Sequence, residues 1–159
     1  VYYYFGSKED LYRQVIEGVC SMWLHAADTF DETDDPFQAF ETYVLSKMEL
    51  SRARPHGSRL WAIEMASGAP FLQGYLKDTV KPWLESRELV VNRWISEGKM
   101  EPVNVRNLFY MIWATTQHYA DFEAQINVMN NGDSLSDAQF EDAKRSVTQL
   151  IERALGLSA

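Results

Sequence analysis

Trp113 and Gln117 stand four residues apart in the segment MIWATTQHYADF, residues 111 to 122. On a helix that spacing puts the two side chains one turn apart on the same face, an indole beside a carboxamide. Together they offer a flat apolar surface and a group that both donates and accepts hydrogen bonds, which suits a small ring with a polar edge. The same spacing also suits a core tryptophan beside an amide satisfied at an interface, and the residues alone leave both readings open. Trp23, on a face with Ala26, Ala27 and Phe30, can form a concave wall where a large ring adjoins small side chains, or it can fill a core. Arg59 and Glu64 interrupt an otherwise apolar stretch. Glu64 there pairs with an arginine, accepts from a ligand amide, or points at water.

Other reactive side chains carry less. His118 and Asp121 lie one turn apart, but no second ligand pair of the kind a helical-bundle metal site requires accompanies them, so no metal is expected. One cysteine, Cys20, cannot form an internal disulfide or a zinc cluster, and VIEGVCSMWL reads as a small buried apolar position. Nucleophile elbows, phosphate-binding glycine loops and paired-histidine zinc motifs are absent, which argues against an enzyme. The net charge of -8 repels phosphate, so any DNA contact must be local or supplied by other residues. No apolar run is long enough to span a membrane and the opening lacks a secretory layout, so a cytoplasmic protein is expected. The start at Val1, within an aromatic cluster, reads as a fragment entered inside a structural element.

Helical periodicity recurs along almost the whole chain, which predicts one all-α domain. Ser7 caps a first helix from about 8 to 30, with Leu11, Val15, Val19, Met22, Ala26 and Phe30 on its apolar stripe. Pro36 opens the next, with Phe37, Phe40, Val44 and Met48 inward; Pro55 and Gly57 close it. Ser58 caps a short helix from Arg59 to Ala66, followed by Gly68 at a left-handed position. Pro82 breaks or kinks a segment running from Pro70 to Gly98. A single helix is expected from about 104 to 129, apolar on two stripes and therefore covered on both sides. The last helix presents Phe140, Ala143, Val147, Leu150, Ile151, Ala154 and Leu155, and stops at Gly156.

The opening YYYFGSKEDLY, residues 2 to 12, resembles the end of the helix-turn-helix and the start of the next helix in TetR-family transcriptional regulators. Two further segments, SRLWAIEMASGAPFL (58 to 72) and MIWATTQHYADF, resemble the branch of that family that governs pyrimidine utilisation. The resemblance implies a TetR-type bundle in which residues 1–6 are a remnant of the DNA-binding head and residues 7–159 form the ligand-binding and dimerisation domain. It implies Tyr2, Tyr3, Tyr4 and Lys8 as contacts to the DNA backbone, where hydroxyls and a lysine at a helix start meet phosphate. It further implies a homodimer joined by the last two helices of each subunit, with Ile112, Thr116, Tyr119, Phe140, Val147, Leu150 and Ile151 in the interface. The implied partners are operator DNA and a uracil- or thymine-like effector held by Trp113, Gln117, Trp23, Arg59 and Glu64, with no cofactor beyond that effector. A different heterocyclic or hydrophobic effector, or a helical dimerisation module without ligand, remains the alternative.

Overall fold

A computed structural model describes residues 6–159, and among them all regular structure is helical. The expected head remnant and the phosphate contacts at Tyr2, Tyr3 and Tyr4 lie outside the described residues. Lys8 is the exposed first residue of α1 (Lys8–His25), whose start is capped by Ser7 Oγ accepting from the Asp10 amide at 3.1 Å. The helix ends sooner than its periodicity suggests and re-forms as α2 (Thr29–Glu32). The intervening turn swings Phe30 into a cluster of Phe40, Tyr43, Trp94 and Phe109, with ring centroids 5.0 to 6.0 Å away. An uninterrupted helix would forgo that burial. The inward face of α1 is also rotated from the expected stripe: Ile16, Cys20 and Trp23 are buried, while Leu11, Val15 and Met22 stay exposed. The apolar arc of α1 is wide, and α3 and α4 cover only one side of it.

The centre of the bundle is α3 (Pro36–Ala53), packed against α7 (Val105–Asp121) and α9 (Asp137–Ala154). Asp35 accepts from the Phe37 amide at 3.0 Å, and Pro36 occupies the first turn, where its missing N–H costs nothing. Pro55 does close this helix, whereas Gly57 lies inside the next one. Pro55 also begins α4 (Pro55–Ala66), so α3 and α4 abut with Arg54 alone between them. Pro55 disfavours a helical Arg54 and then supplies the φ of a first helical residue. Ser58 is consequently no cap; it lies buried within α4 and donates to Asp121 Oδ1 at 2.7 Å. Gly57 permits the close approach of α4 to α1, since a Cβ there would come within 2.6 Å of Val19 Cγ2.

Gly68 adopts the expected left-handed backbone with φ 91°. The short α5 (Gln73–Tyr75) then passes through a widened π-type turn, Leu76–Val80, into α6 (Lys81–Ser96). Pro82, at the start of α6, accounts for that turn: it has no N–H, and its ring excludes the carbonyl four residues back. The helix expected from 104 to 129 is two, α7 and α8 (Glu123–Met129), separated by Phe122 at φ -116°. Arg59 stabilises the break by donating to the Ala120 carbonyl at 2.9 Å and to Glu123 Oε2 at 3.0 Å. It thereby supplies a partner for a carbonyl at the helix end. At α9 a capping box joins Ser136 and Gln139. Ser136→Ala is expected to lower stability by about 1 kcal/mol in urea unfolding, the usual cost of an N-cap.

Candidate functional site

Four elements converge on a small cavity of about 80 Å3. Helix α1 contributes Cys20 and Trp23, α3 contributes Tyr43 and Lys47, α4 contributes Trp61, and α7 contributes Trp113 and Gln117. Val80 of the widened turn closes one side. Helical spacing explains the pairs: Tyr43 and Lys47, like Trp113 and Gln117, are four residues apart and share a face. Larger hollows of about 230 and 530 Å3 also occur, but the first is walled by Tyr119, Phe140 and Ser51 and the second by Phe30 and the acidic turn before α3, and neither gathers several indoles around an amine and a carboxamide.

The polar atoms are connected. Lys47 Nζ donates to Gln117 Oε1 at 2.7 Å and sits 4.2 Å from the centroid of a Trp23 ring. Trp113 Nε1 donates to the Tyr43 hydroxyl at 2.9 Å. Trp23 meets Trp61 edge to face, with centroids 5.5 Å apart and planes at 90°. The carboxamide of Gln117 thus has its oxygen committed to Lys47 while its amide hydrogens remain to be placed.

Lys47 is only 1% exposed, and burial lowers its pKa to about 7. Burial also pushes the Cys20 thiol up to about 12, and the Tyr43 phenol is raised by burial as well. These directions make stability depend on pH. Between about pH 7 and 9 the unfolded chain holds the Lys47 proton that the folded chain has lost, so stability rises with pH by up to about 1.4 kcal/mol per unit. Above about 9 the unfolded Cys20 ionises while the folded thiol does not, which opposes the gain. Urea titrations at pH 7, 8 and 9 are expected to show rising stability in the wild-type chain and a flatter profile in Lys47→Met.

Three of the five ligand candidates, Trp23, Trp113 and Gln117, meet in this cavity. Arg59 and Glu64 do not. Arg59 is spent on the α7–α8 break, on Glu123 and on His56 Nδ1 at 3.0 Å. Glu64, 2% exposed, accepts from the Tyr12 hydroxyl at 3.2 Å and from the Phe71 amide at 2.8 Å, tying the start of α1 to the turn after α4. A buried carboxylate needs such donors, and these leave it facing away from the cavity. Lys47, Tyr43 and Trp61 are the site residues missed in the sequence. Lys47 left a signal, for it falls between Phe40, Val44 and Ser51 on the buried stripe of α3.

Among the interface candidates, Ile112, Thr116, Phe140, Val147 and Ile151 are buried within this chain, and Tyr119 is half-buried against Phe140. Leu150 alone projects outward, 65% exposed. His118 stacks on Phe122 with centroids 4.9 Å apart, and Asp121 is engaged by Ser58, so the pair does not converge. No helix among the described residues is long and apolar enough to cross a membrane.

Residues 16–158 match the family model for the C-terminal region of YcdC-like proteins, a class of TetR C-terminal domains. The chain belongs to the TetR family. The HTH-type transcriptional regulator RutR of Escherichia coli (strain K12) is 35% identical over 149 residues, which cover 94% of this chain and 70% of that protein. RutR of Shigella flexneri matches to the same extent. As a TetR-family member with relatives of that name, the chain is a transcriptional regulator of the RutR type and not an enzyme. In this TetR-family bundle the cavity draws on α1, α3, α4 and α7, and α1 is the helix nearest the amino terminus.

Proposed function

We propose that the cavity takes a pyrimidine base such as uracil or thymine, and that its occupancy controls operator binding by a homodimer. The observation that carries the reading is the hydrogen bond from the buried Lys47 to Gln117, in a cavity walled by Trp23, Trp61 and Trp113. An imide edge presents carbonyl, N–H and carbonyl in a row. Lys47 and the Gln117 amide supply donors for the carbonyls, Gln117 Oε1 is an acceptor for the N–H, and the indoles cover the ring faces. The relatives named RutR are HTH-type regulators, which supports the regulatory half of the proposal.

The volume matters too. A cavity of about 150 Å3 holds a benzene ring, so a hollow of about 80 Å3 must widen to admit one. Trp61 is the wall that α4 contributes, and one turn further along that helix Glu64 accepts from Tyr12 near the start of α1. Displacement of Trp61 is thereby passed to the helix that leads to the operator-binding end. Two recognition helices must keep a separation of about 34 to 36 Å or a multiple of it, so a small tilt of α1 disturbs their fit to successive grooves. Operator and effector then oppose each other reciprocally.

The outward faces of α7 and α9 provide the subunit contact. Tyr110, Met111 and Phe122 are about half exposed and Leu150 is 65% exposed, so apolar side chains of both regions remain outside the buried stripes. Leu150→Arg is expected to shift the protein towards monomer in sedimentation velocity; an unchanged dimer would place the contact elsewhere. Calorimetric titration with uracil and thymine tests the effector. Saturation at about a hundredfold over the dissociation constant adds about 2.7 kcal/mol of stability. Absence of both heat and thermal stabilisation would sink the ligand reading and leave a dimerisation module.

A further inference from the structure

Lys47 poses a question of charge. Its amino group is buried, and the groups around it would attract a cation without carrying a formal charge: the Trp23 face at 4.2 Å and Gln117 Oε1 at 2.7 Å. The titratable groups on the neighbouring elements supply no counter-charge at the amine. Cys20 on α1 remains a neutral thiol, since burial pushes it to about 12. Tyr43 on α3 and Tyr75 on α5 are both raised and stay protonated. Asp121 on α7 acts on Lys47 only at a distance and accepts its hydrogen bond from Ser58. Among the described residues no carboxylate forms an ion pair with Lys47, and the open side of its amine is the cavity itself.

We infer that Lys47 makes this cavity selective for imide rings that carry negative charge over neutral rings of the same shape. The inference rests on the ring-binding reading and adds the charge state of the preferred ligand. An acidic imide meets the lysine in one of two balanced ways. A ring already ionised in solution pairs with the ammonium. A neutral ring meeting the free amine passes its N–H proton to Nζ, so ammonium and ring anion form together with no proton exchanged with solvent. Between indole walls that replace part of the surrounding water, an ion pair that is also hydrogen-bonded is worth more than one fully exposed at the surface. Gln117 remains the second donor to the ring, through its amide.

The test uses uracil and 6-azauracil, which replaces one ring CH with nitrogen, preserves the outline and makes the ring N–H much more acidic. Calorimetry at pH 7.5 is expected to give 6-azauracil an affinity about tenfold or more above that of uracil. In Lys47→Met both rings bind more weakly, because Lys47 also donates to a ring carbonyl, and 6-azauracil loses the more, so that the preference disappears; Lys47→Gln serves the same purpose if the methionine variant does not fold or binds neither ring. Equal affinities in the wild-type protein, or a preference that survives both substitutions, overturn the charge selection while leaving the ring site in place. If neither ring binds the wild-type protein, the ring-binding reading falls and the charge selection with it.

Discussion

Gln117→Leu lowers affinity for uracil or thymine by about 60- to 700-fold while the helical content stays close to wild type. Leucine fills a similar volume but removes both the acceptor and the donors that face the ring edge. It also strips Lys47 of the oxygen held at 2.7 Å. A hydrogen bond to a charged group contributes about 1.5–3 kcal/mol and a neutral one about 1, so losing one of each gives about 2.5–4 kcal/mol. That corresponds to the stated fold-change, at about 1.4 kcal/mol per factor of ten. Titration calorimetry reads it directly. An affinity that stays within a factor of two would mean the ring's polar edge lies elsewhere.

Trp94→Ala costs about 3–5 kcal/mol of folding stability, measured as a lower urea midpoint. Trp94 is completely buried, with Phe30 5.6 Å and Phe40 6.5 Å away between centroids. Its Nε1 donates to Asp34 Oδ1 at 3.0 Å, and Asp34 also receives Arg93 and Lys99. That carboxylate is held below its usual range chiefly by its hydrogen bonds with Lys99 and Trp94, so removing the indole loosens the turn before α3 as well as opening a cavity. Against a total stability of about 5–15 kcal/mol the loss is severe. A change below about 1 kcal/mol would mean that the cluster repacks around the void.

The parts of the site that follow one helix's periodicity were legible in the sequence. Trp113 and Gln117 share a face because they are four residues apart, whatever lies opposite. The head of the resemblance, Tyr2 to Tyr4, lies outside the described residues. What failed was anything that depends on the opposing layer. Arg59 and Glu64 stood out as polar residues in an apolar stretch, but their partners come from α7, α8 and the neighbourhood of α1, far away in sequence. The break at Phe122 is invisible from within residues 104 to 129, because Arg59 stabilises it from 61 positions before Ala120. Periodicity in α9 found the apolar stripe but not which body covers it. Phe140, Val147 and Ile151 face their own core, and only Leu150 is turned out. Lys47 was missed for the opposite reason: a charge is expected outside, and only the convergence of α1 and α7 on α3 brings it in.

The single residue between α3 and α4 also sets how α4 can respond. With Arg54 alone as connector there is no spare chain to let the two helices slide, so pressure on Trp61 turns α4 like a lever hinged at Pro55. At 1.5 Å per residue Trp61 stands about 9 Å from that fulcrum and Glu64 about 13.5 Å. The arm grasping Tyr12 therefore travels about one and a half times as far as the ring that was pushed.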